Sequence, residues 1–532
     1  GTEPYANRYQ WNLVSGTPSP EYRRLVASPQ LLLVSPQGLN LYPEVEKYAE
    51  IKAMLGGETA FQGAPADPAT DNILIRNVDN LNFNRDRIES LVPAINGLSG
   101  SELDSLLTRM RNSQVDAWIT HLAEGVRDNQ RRDGDPTSSR AEFATLVSKG
   151  LLTDTTVIVH GNGLEPEDFA AMRNAPSIRL NGTGDGLGAK LVWSPLSNLL
   201  LYGQTTLIYP ALGAGLTVSL GTDWSPSGSR NLLDELKIAD MILRGSQQLA
   251  GDRDLIPGLS ITNKTGHTLK QAETALDKLL VEMVTTNPAK TLRWTDEVGS
   301  IEAGKFADLF VITKHNRPST KGLPDSPYRN LIDATEEDVH LVLVNGEPLS
   351  GDVALMNILK PGDYEIITGE GGCFQKGIDV TNPTVPKGTQ TLAFIEETLR
   401  NSLTALGGDN PPSEGGPADN SNTYSYLKAN IPGAGGLTDA QFRQQLAFFV
   451  GLDPQGRLNL EAIQLSPLLV EDDDFHFKLL GGEVFAESVL IADTSPPFRL
   501  YPANFNHIQP LGNPFAAKEY RDRYYEFCAP RR

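Results

Sequence analysis

Residues 117–125 read Ala-Trp-Ile-Thr-His-Leu-Ala-Glu-Gly, an apolar run that ends in His121 and is followed three residues later by Glu124. Two later stretches have the same form. Residues 155–164, Thr-Thr-Val-Ile-Val-His-Gly-Asn-Gly-Leu, end a β-branched run in His160. Residues 216–225, Leu-Thr-Val-Ser-Leu-Gly-Thr-Asp-Trp-Ser, end another in Asp223. Short β-branched runs bounded by glycine and polar residues predict buried strands. Each of these three finishes in a side chain that can bind a metal ion or move a proton.

Working outward, strands are predicted at 117–120, 156–159, 190–193 and 216–220, with shorter ones at 58–63 and 72–78. Helical spacing covers 44–55, 99–110, 138–149, 165–173, 231–244 and 269–286, and part of 197–212. Ser99 or Ser101 is the expected cap of the second helix. Apolar strands alternating with helices predict a parallel sheet covered on both faces. Chemistry at the C-terminal ends of several consecutive strands predicts a (β/α)8 barrel of the TIM type. Residues 1–295 would form this barrel.

Residues 298–355 change character. They are β-rich, and Asn345-Gly346 predicts a tight hairpin. A small β-sandwich portion is expected over 296–355, followed by a C-terminal extension over 356–532. That extension holds a Gly/Pro/Ser/Asn-rich linker near 406–436 and a helix over 437–451.

The chain has 532 residues and a formal net charge of −20. An acidic chain argues against a nucleic-acid partner, because phosphates attract the opposite sign. No apolar run approaches the roughly 18 residues needed to cross a bilayer, so no membrane span is expected. Cys373 and Cys528 form no C-x-x-C pair, which argues against a disulfide framework or structural zinc site. A reducing, cytoplasmic setting is the default expectation. The glycine-rich stretch 181–188, Asn-Gly-Thr-Gly-Asp-Gly-Leu-Gly, lacks a G-x-x-x-x-G-K pattern and reads as a loop.

Metal-assisted hydrolysis needs an open metal site and a base for the proton of water. His121 supplies an imidazole nitrogen. Asp223 supplies a carboxylate to bind the metal, accept the proton, or both. Glu124, just past a strand, can turn back over the same rim and carry a proton to a leaving nitrogen. His160 is open between polarising a substrate oxygen and a structural hydrogen bond. His267, His315, His340, His476 and His507 have no partner at useful spacing.

These residues resemble the amidohydrolase superfamily, in its branch of cytosine, guanine and S-adenosylhomocysteine-type deaminases and triazine chlorohydrolases. Five segments carry the resemblance in order: His121-Leu-Ala-Glu124; Val159-His160-Gly161-Asn162-Gly163; Trp193-Ser194-Pro195-Leu196-Ser197-Asn198; Gly221-Thr222-Asp223 with Ser225 and Asp234-Glu235; and Thr286-Asn287-Pro288-Ala289-Lys290 followed by residues 299–309. The resemblance implies that His121 and Asp223 bind metal. It implies that Glu124, His160 and Asp223 are catalytic, with Glu124 the proton shuttle and Asp223 the base acting on a metal-activated water. Asn162, Trp193, Trp224 and Ser225 would line the pocket, the two tryptophans being open to a plain packing role.

The implied activity is hydrolysis of a C–N bond in a small, cyclic molecule, by deamination or amide cleavage, with homo-oligomeric assembly allowed. No Lys occurs between Lys52 and Lys149 to bridge two metals, so one divalent ion is expected, zinc first and iron second. Two departures matter. Many members carry His where this chain has Trp193. The branch also carries His-x-His on its first barrel strand, and no histidine precedes His121 here. The first strand is therefore expected to be missing, within about 60 to 120 residues upstream, with a separate N-terminal fragment as one way to supply it. The rival expectation is a catalytically inactive amidohydrolase-like scaffold or binding protein.

Overall fold

The computed structural model describes residues 5–10, 27–63, 72–85, 87–91, 95–127, 139–202, 204–224, 227–245, 256, 259, 269–314, 326–369, 372, 374–407, 421–449, 465 and 468–469. Five strands form one parallel sheet in sequence order: β3 (Ile88–Leu91), β4 (Ala117–Leu122), β5 (Thr156–His160), β6 (Lys190–Trp193) and β7 (Val218–Leu220). Helices Gly100–Arg111, Ser139–Ser148, Pro166–Arg173, Pro195–Tyr202 and Ile208–Gly213 fill the crossovers, and Leu232–Gly245 follows β7. The first of these opens on a capping box in which Ser99 accepts from Glu102 N and Glu102 returns to the Ser99 amide.

Both sheet faces are apolar, as a parallel sheet requires. Along β4 and β5, Trp118, Leu122 and Ile158 join a large cluster with residues of the flanking helices such as Phe169 and Leu236. Ala117, Ile119, Val157 and Val159 join a separate, smaller cluster with Val78, Leu292 and Trp294. Register aligns the strand ends: Leu91 faces Thr120, Leu122 faces His160, and Trp193 faces Leu220. The C-terminal tips of β4, β5 and β7 therefore lie along one edge.

Closure into the expected eight-stranded barrel is not seen among the described residues. Two further strands, β1 (Ala60–Phe61) and β2 (Arg76–Asn77), pair in parallel with each other only. At two residues each they are too short to extend the ladder. The first sheet strand, β3, lies in a segment not expected to be a strand. Its sequence Ile-Glu-Ser-Leu has only four residues, and pairing with Ala117–Thr120 supplies what local propensity does not.

A second sheet is antiparallel, in the order β11 (Glu365–Thr368), β12 (Gln375–Ile378), β10 (Glu347–Asp352), β9 (Val339–Val344), β8 (Leu309–Ile312). The hairpin at Asn345-Gly346 forms as expected, with φ of 56° and 81°. The sheet draws two strands from beyond residue 355, so the expected boundary there falls inside it. β12 pairs with β10 through Ser350 and Ile378, which periodicity in 356–380 did not reveal.

Within the stretch 406–436, the described residues 421–436 are more ordered than their composition suggests. Residues 421–430 form a helix, and Leu427 and Ile431 are buried with Leu32, Leu406, Phe442 and Leu446. Burial of spaced apolar side chains outweighs the Gly/Pro/Ser content there. The helix expected over 437–451 is present as Asp439–Phe449. No described helix is long and apolar enough to cross a membrane.

Candidate metal centre and proton-transfer site

Strand alternation alone does not bring the three tips together. His121 shares the face of Ala117 and Ile119, whereas His160 falls on the face of Ile158. Left-handed residues make the correction. His160 has φ of 72°, Asp223 63° and Ala123, just before Glu124, 54°. Three non-glycine residues in this sparsely populated region at one edge mark a strained, over-determined site. Donor atoms of His121, His160 and Asp223 then all lie within 4.8 Å of one another. The two imidazole rings stand 5.2 Å apart, centroid to centroid.

His160 is 1 % exposed. Its Nδ1 lies 3.1 Å from Asn198 Oδ1. With an oxygen as partner, Nδ1 carries the proton, which leaves the Nε2 lone pair facing inward. Nε2 is 3.7 Å from Glu124 Oε2 and 3.8 Å from Asp223 Oδ2. The backbone is held as well, since Thr206 Oγ1 donates to His160 O at 2.7 Å.

His121 Nδ1 is buried without a hydrogen-bond partner. Burial, followed by the neighbouring His160, pushes the His121 pKa down. A neutral imidazole with an unsatisfied buried nitrogen is the form that binds a metal. Two imidazoles and a carboxylate suit zinc or iron. The residues present thus fit one divalent ion, with His160 as a third donor beside the expected His121 and Asp223.

Glu124 is buried and accepts a 2.6 Å hydrogen bond from the Tyr202 hydroxyl on Oε1. Burial pushes its pKa up, Asp223 adds to this, and His160 and Arg8 oppose it. Asp223 is half-buried, and its Oδ1 accepts from Trp224 N at 2.7 Å, leaving Oδ2 towards His160.

The expected pocket residues are placed as follows. Asn162 is fully buried; Oδ1 accepts from Gly125 N at 3.1 Å, while Nδ2 has no partner. Trp193 is fully buried and donates its indole N–H to Thr205 Oγ1 at 2.7 Å. Trp224 is half-buried beside Asp223. Ser225 lies outside the described residues. So do Cys373, Cys528 and the histidines at 267, 315, 476 and 507, whereas His340 bridges Asp352 and Thr313 away from the site.

Several partners had no role in the sequence reading. Asn198 and Tyr202 follow β6 in the Trp193–Asn198 segment and its helix. Arg8 and Glu142 are 134 residues apart and pair at 3.1 Å, and no local signal connects them. Burial disfavours the Arg8 charge, but Glu142 and Glu124 outweigh this and hold it protonated.

Residues 100–349 match the model of the amidohydrolase family. This segment is thus similar to the amidohydrolase family, and the curated relatives it resembles are a triazine hydrolase and deaminases. Over 260 residues the chain is 25% identical to an S-triazine hydrolase of Gordonia rubripertincta, covering 48% of this chain and 45% of the relative. Over 247 residues it is 31% identical to a 5-methylthioadenosine/S-adenosylhomocysteine deaminase of Thermoanaerobacter pseudethanolicus, covering 45% and 47%. The chain spans about half the length of the curated relatives it matches. Among solved structures, a zinc-bound adenosine deaminase from Xanthomonas campestris aligns with a TM-score of 0.39 at 18% identity, over 58% of this chain and 70% of that one. A mutant atrazine chlorohydrolase from Arthrobacter aurescens, complexed with zinc and atraton, aligns with a TM-score of 0.42 at 17% identity, over 65% and 83%.

Proposed function

We propose that the protein is a metal-dependent hydrolase of C–N bonds in small cyclic molecules, acting as a deaminase or cyclic amide hydrolase on a TIM-type barrel. One observation carries this reading. His121, His160 and Asp223 come from three different strand ends, and their donor atoms converge within 4.8 Å beside the buried Glu124. His121 and Asp223 would hold a single divalent ion, zinc first and iron second, with His160 in reach. When bound, the ion supplies Lewis acidity that lowers the pKa of water and polarises the bond under attack.

The chain's own groups divide the proton work. Asp223 keeps Oδ2 free of the Trp224 amide that occupies Oδ1, so it has an oxygen with which to take a proton from water. Glu124 is pushed by burial towards its protonated form, the form a general acid needs when nitrogen departs. Ammonia and amines leave poorly as anions, so this proton is worth most for a nitrogen leaving group. His160 presents Nε2 between the two carboxylates, where it positions the reacting oxygen. Asn162 Nδ2 is a buried donor for a substrate acceptor.

The test combines metal analysis with a substrate screen. Purified full-length protein is expected to carry about one zinc or iron per chain, lost in His121→Ala. It is expected to release ammonia or an amine from at least one aminated heterocycle, cyclic amide or urea-like compound. Absence of metal in both proteins, together with no turnover, would overturn the hydrolase in favour of a binding scaffold.

A further inference from the structure

The described N-terminal segment, residues 5–10, lies as a strap across the rim that carries Glu124. Asn7 forms an antiparallel bridge with Gly125. Arg8 N donates to Glu124 O at 3.2 Å, Val126 N to Ala6 O at 2.8 Å, and Tyr5 N to Leu201 O at 2.7 Å. The strap thus ties the tip of β4 to the helix that provides Tyr202.

From this strap the Arg8 side chain turns inward and is 1 % exposed. Its Nη2 lies 3.1 Å from Glu142 Oε1, and its Nη1 lies 3.9 Å from Glu124 Oε2. Tyr9 adds a 2.5 Å hydrogen bond from its hydroxyl to the same Glu142 oxygen. The other Glu142 oxygen accepts Ala123 N at 2.7 Å. Ala123 is the left-handed residue that turns Glu124 back over the rim.

Two lines therefore run from one guanidinium to the proton donor. Through Glu142 it pins the strained Ala123 amide. Directly, it faces the Glu124 oxygen that Tyr202 leaves open. A planar fork can serve both carboxylates at once, which the point charge of a lysine cannot. Glycine at 125 is required by the same packing, because a Cβ there would stand 2.5 Å from Ala6 O and 2.8 Å from Asn7 Cα.

We propose that Arg8 is a positioning residue for the proton shuttle, fixing Glu124 through the Glu142–Ala123 link and through its own contact with the carboxylate. This rests on the proposed role of Glu124 as the acid for a nitrogen leaving group. The role assigned to Arg8 acts through Glu124 and the Glu142–Ala123 link.

The experiment uses the full chain and two readouts. The first is turnover of a matched pair of heterocycles on one ring, one losing ammonia and one losing chloride. Chloride departs as the anion without a proton, whereas ammonia needs one. Arg8→Gln is expected to lower kcat for ammonia loss about 100-fold, a typical share of general acid catalysis, with KM little changed and chloride loss reduced only a few-fold. Arg8→Lys, which keeps charge and bulk, is expected to fall between and guards against a variant that does not fold. An equal loss on both substrates, or none, overturns the inference.

The second readout needs no turnover. Amide exchange in the peptide 117–127 is expected to rise in Arg8→Gln while exchange in 156–160 stays unchanged. Unchanged exchange in 117–127 overturns the inference even if the enzyme is active. If the wild type turns over neither heterocycle, the metal analysis and wider screen above decide the proposed function, and the exchange result alone decides the positional role of Arg8.

Discussion

Asn198 Oδ1 stands 3.1 Å from His160 Nδ1 and sets which imidazole nitrogen faces Glu124 and Asp223. Asn198 is itself held, since its Nδ2 donates to Thr205 Oγ1 at 3.3 Å. Such outer partners fix ring orientation and tautomer, and their loss costs about 10- to 100-fold in activity or metal affinity. Asn198→Ala is expected to lower kcat within that range and to leave the far-UV circular dichroism unchanged. Full activity in the variant would show that the tautomer is set otherwise.

Asp223→Asn tests the base. An amide keeps the oxygen that receives the Trp224 N–H, so the left-handed turn is expected to survive. Turnover is expected to vanish into background, because Asn can accept no proton from water. Retained turnover removes Asp223 from that role.

Gly125→Ala tests the strap. The added Cβ meets Ala6 O and Asn7 Cα, backbone atoms that cannot rotate away. The strap is expected to lift, and residues 5–10 should become sensitive to limited proteolysis before the rest of the chain unfolds. Unchanged cleavage in this segment would contradict the packing described.

Glu50 gives a pH prediction away from the site. It accepts Leu74 N at 3.0 Å and Ile75 N at 2.9 Å on one oxygen, while the other is buried and unpaired. Burial outweighs the two amides and pushes its pKa up to about 8 from 4.5. A raised folded pKa means that the folded state binds the proton more tightly than the unfolded state does. The stability it brings is whole below about pH 4.5 and is lost as the pH rises through about 8. Thermal melts of Glu50→Gln are expected to fall less than those of the wild type as the pH rises from about 5 to about 9. Parallel curves for wild type and variant would remove Glu50 as the cause.

The strand–helix alternation from Ala117 to Leu220 was legible because period and composition agree there. Buried strands such as Val157–Val159 are continuously apolar, and the helix at Gly100–Arg111 carries its own capping box. Strands β3, β11 and β12 were not legible. Ile-Glu-Ser-Leu and Gln-Lys-Gly-Ile have no apolar run, and only pairing with β4 and β10 makes them strands. The helix at Ser421–Asn430 was hidden for the opposite reason, since linker-like composition masked apolar residues that find partners near Leu32 and Phe442.

The amino-acid sequence by itself determined which groups are the candidates for the chemistry. A histidine or aspartate at the end of an apolar run is a local fact, and His121, Glu124, His160 and Asp223 could be named from it. Tertiary structure alone decided that they meet at one place. The side-chain alternation of a strand would send His121 and His160 to opposite faces, and left-handed φ values at His160 and Asp223 cancel that, with His160 held by Asn198 and Thr206. The link from Arg8 through Glu142 to Ala123 spans most of the first 142 residues and leaves no local trace. Buried ion pairs depend on position in space, and spacing along the chain does not encode them.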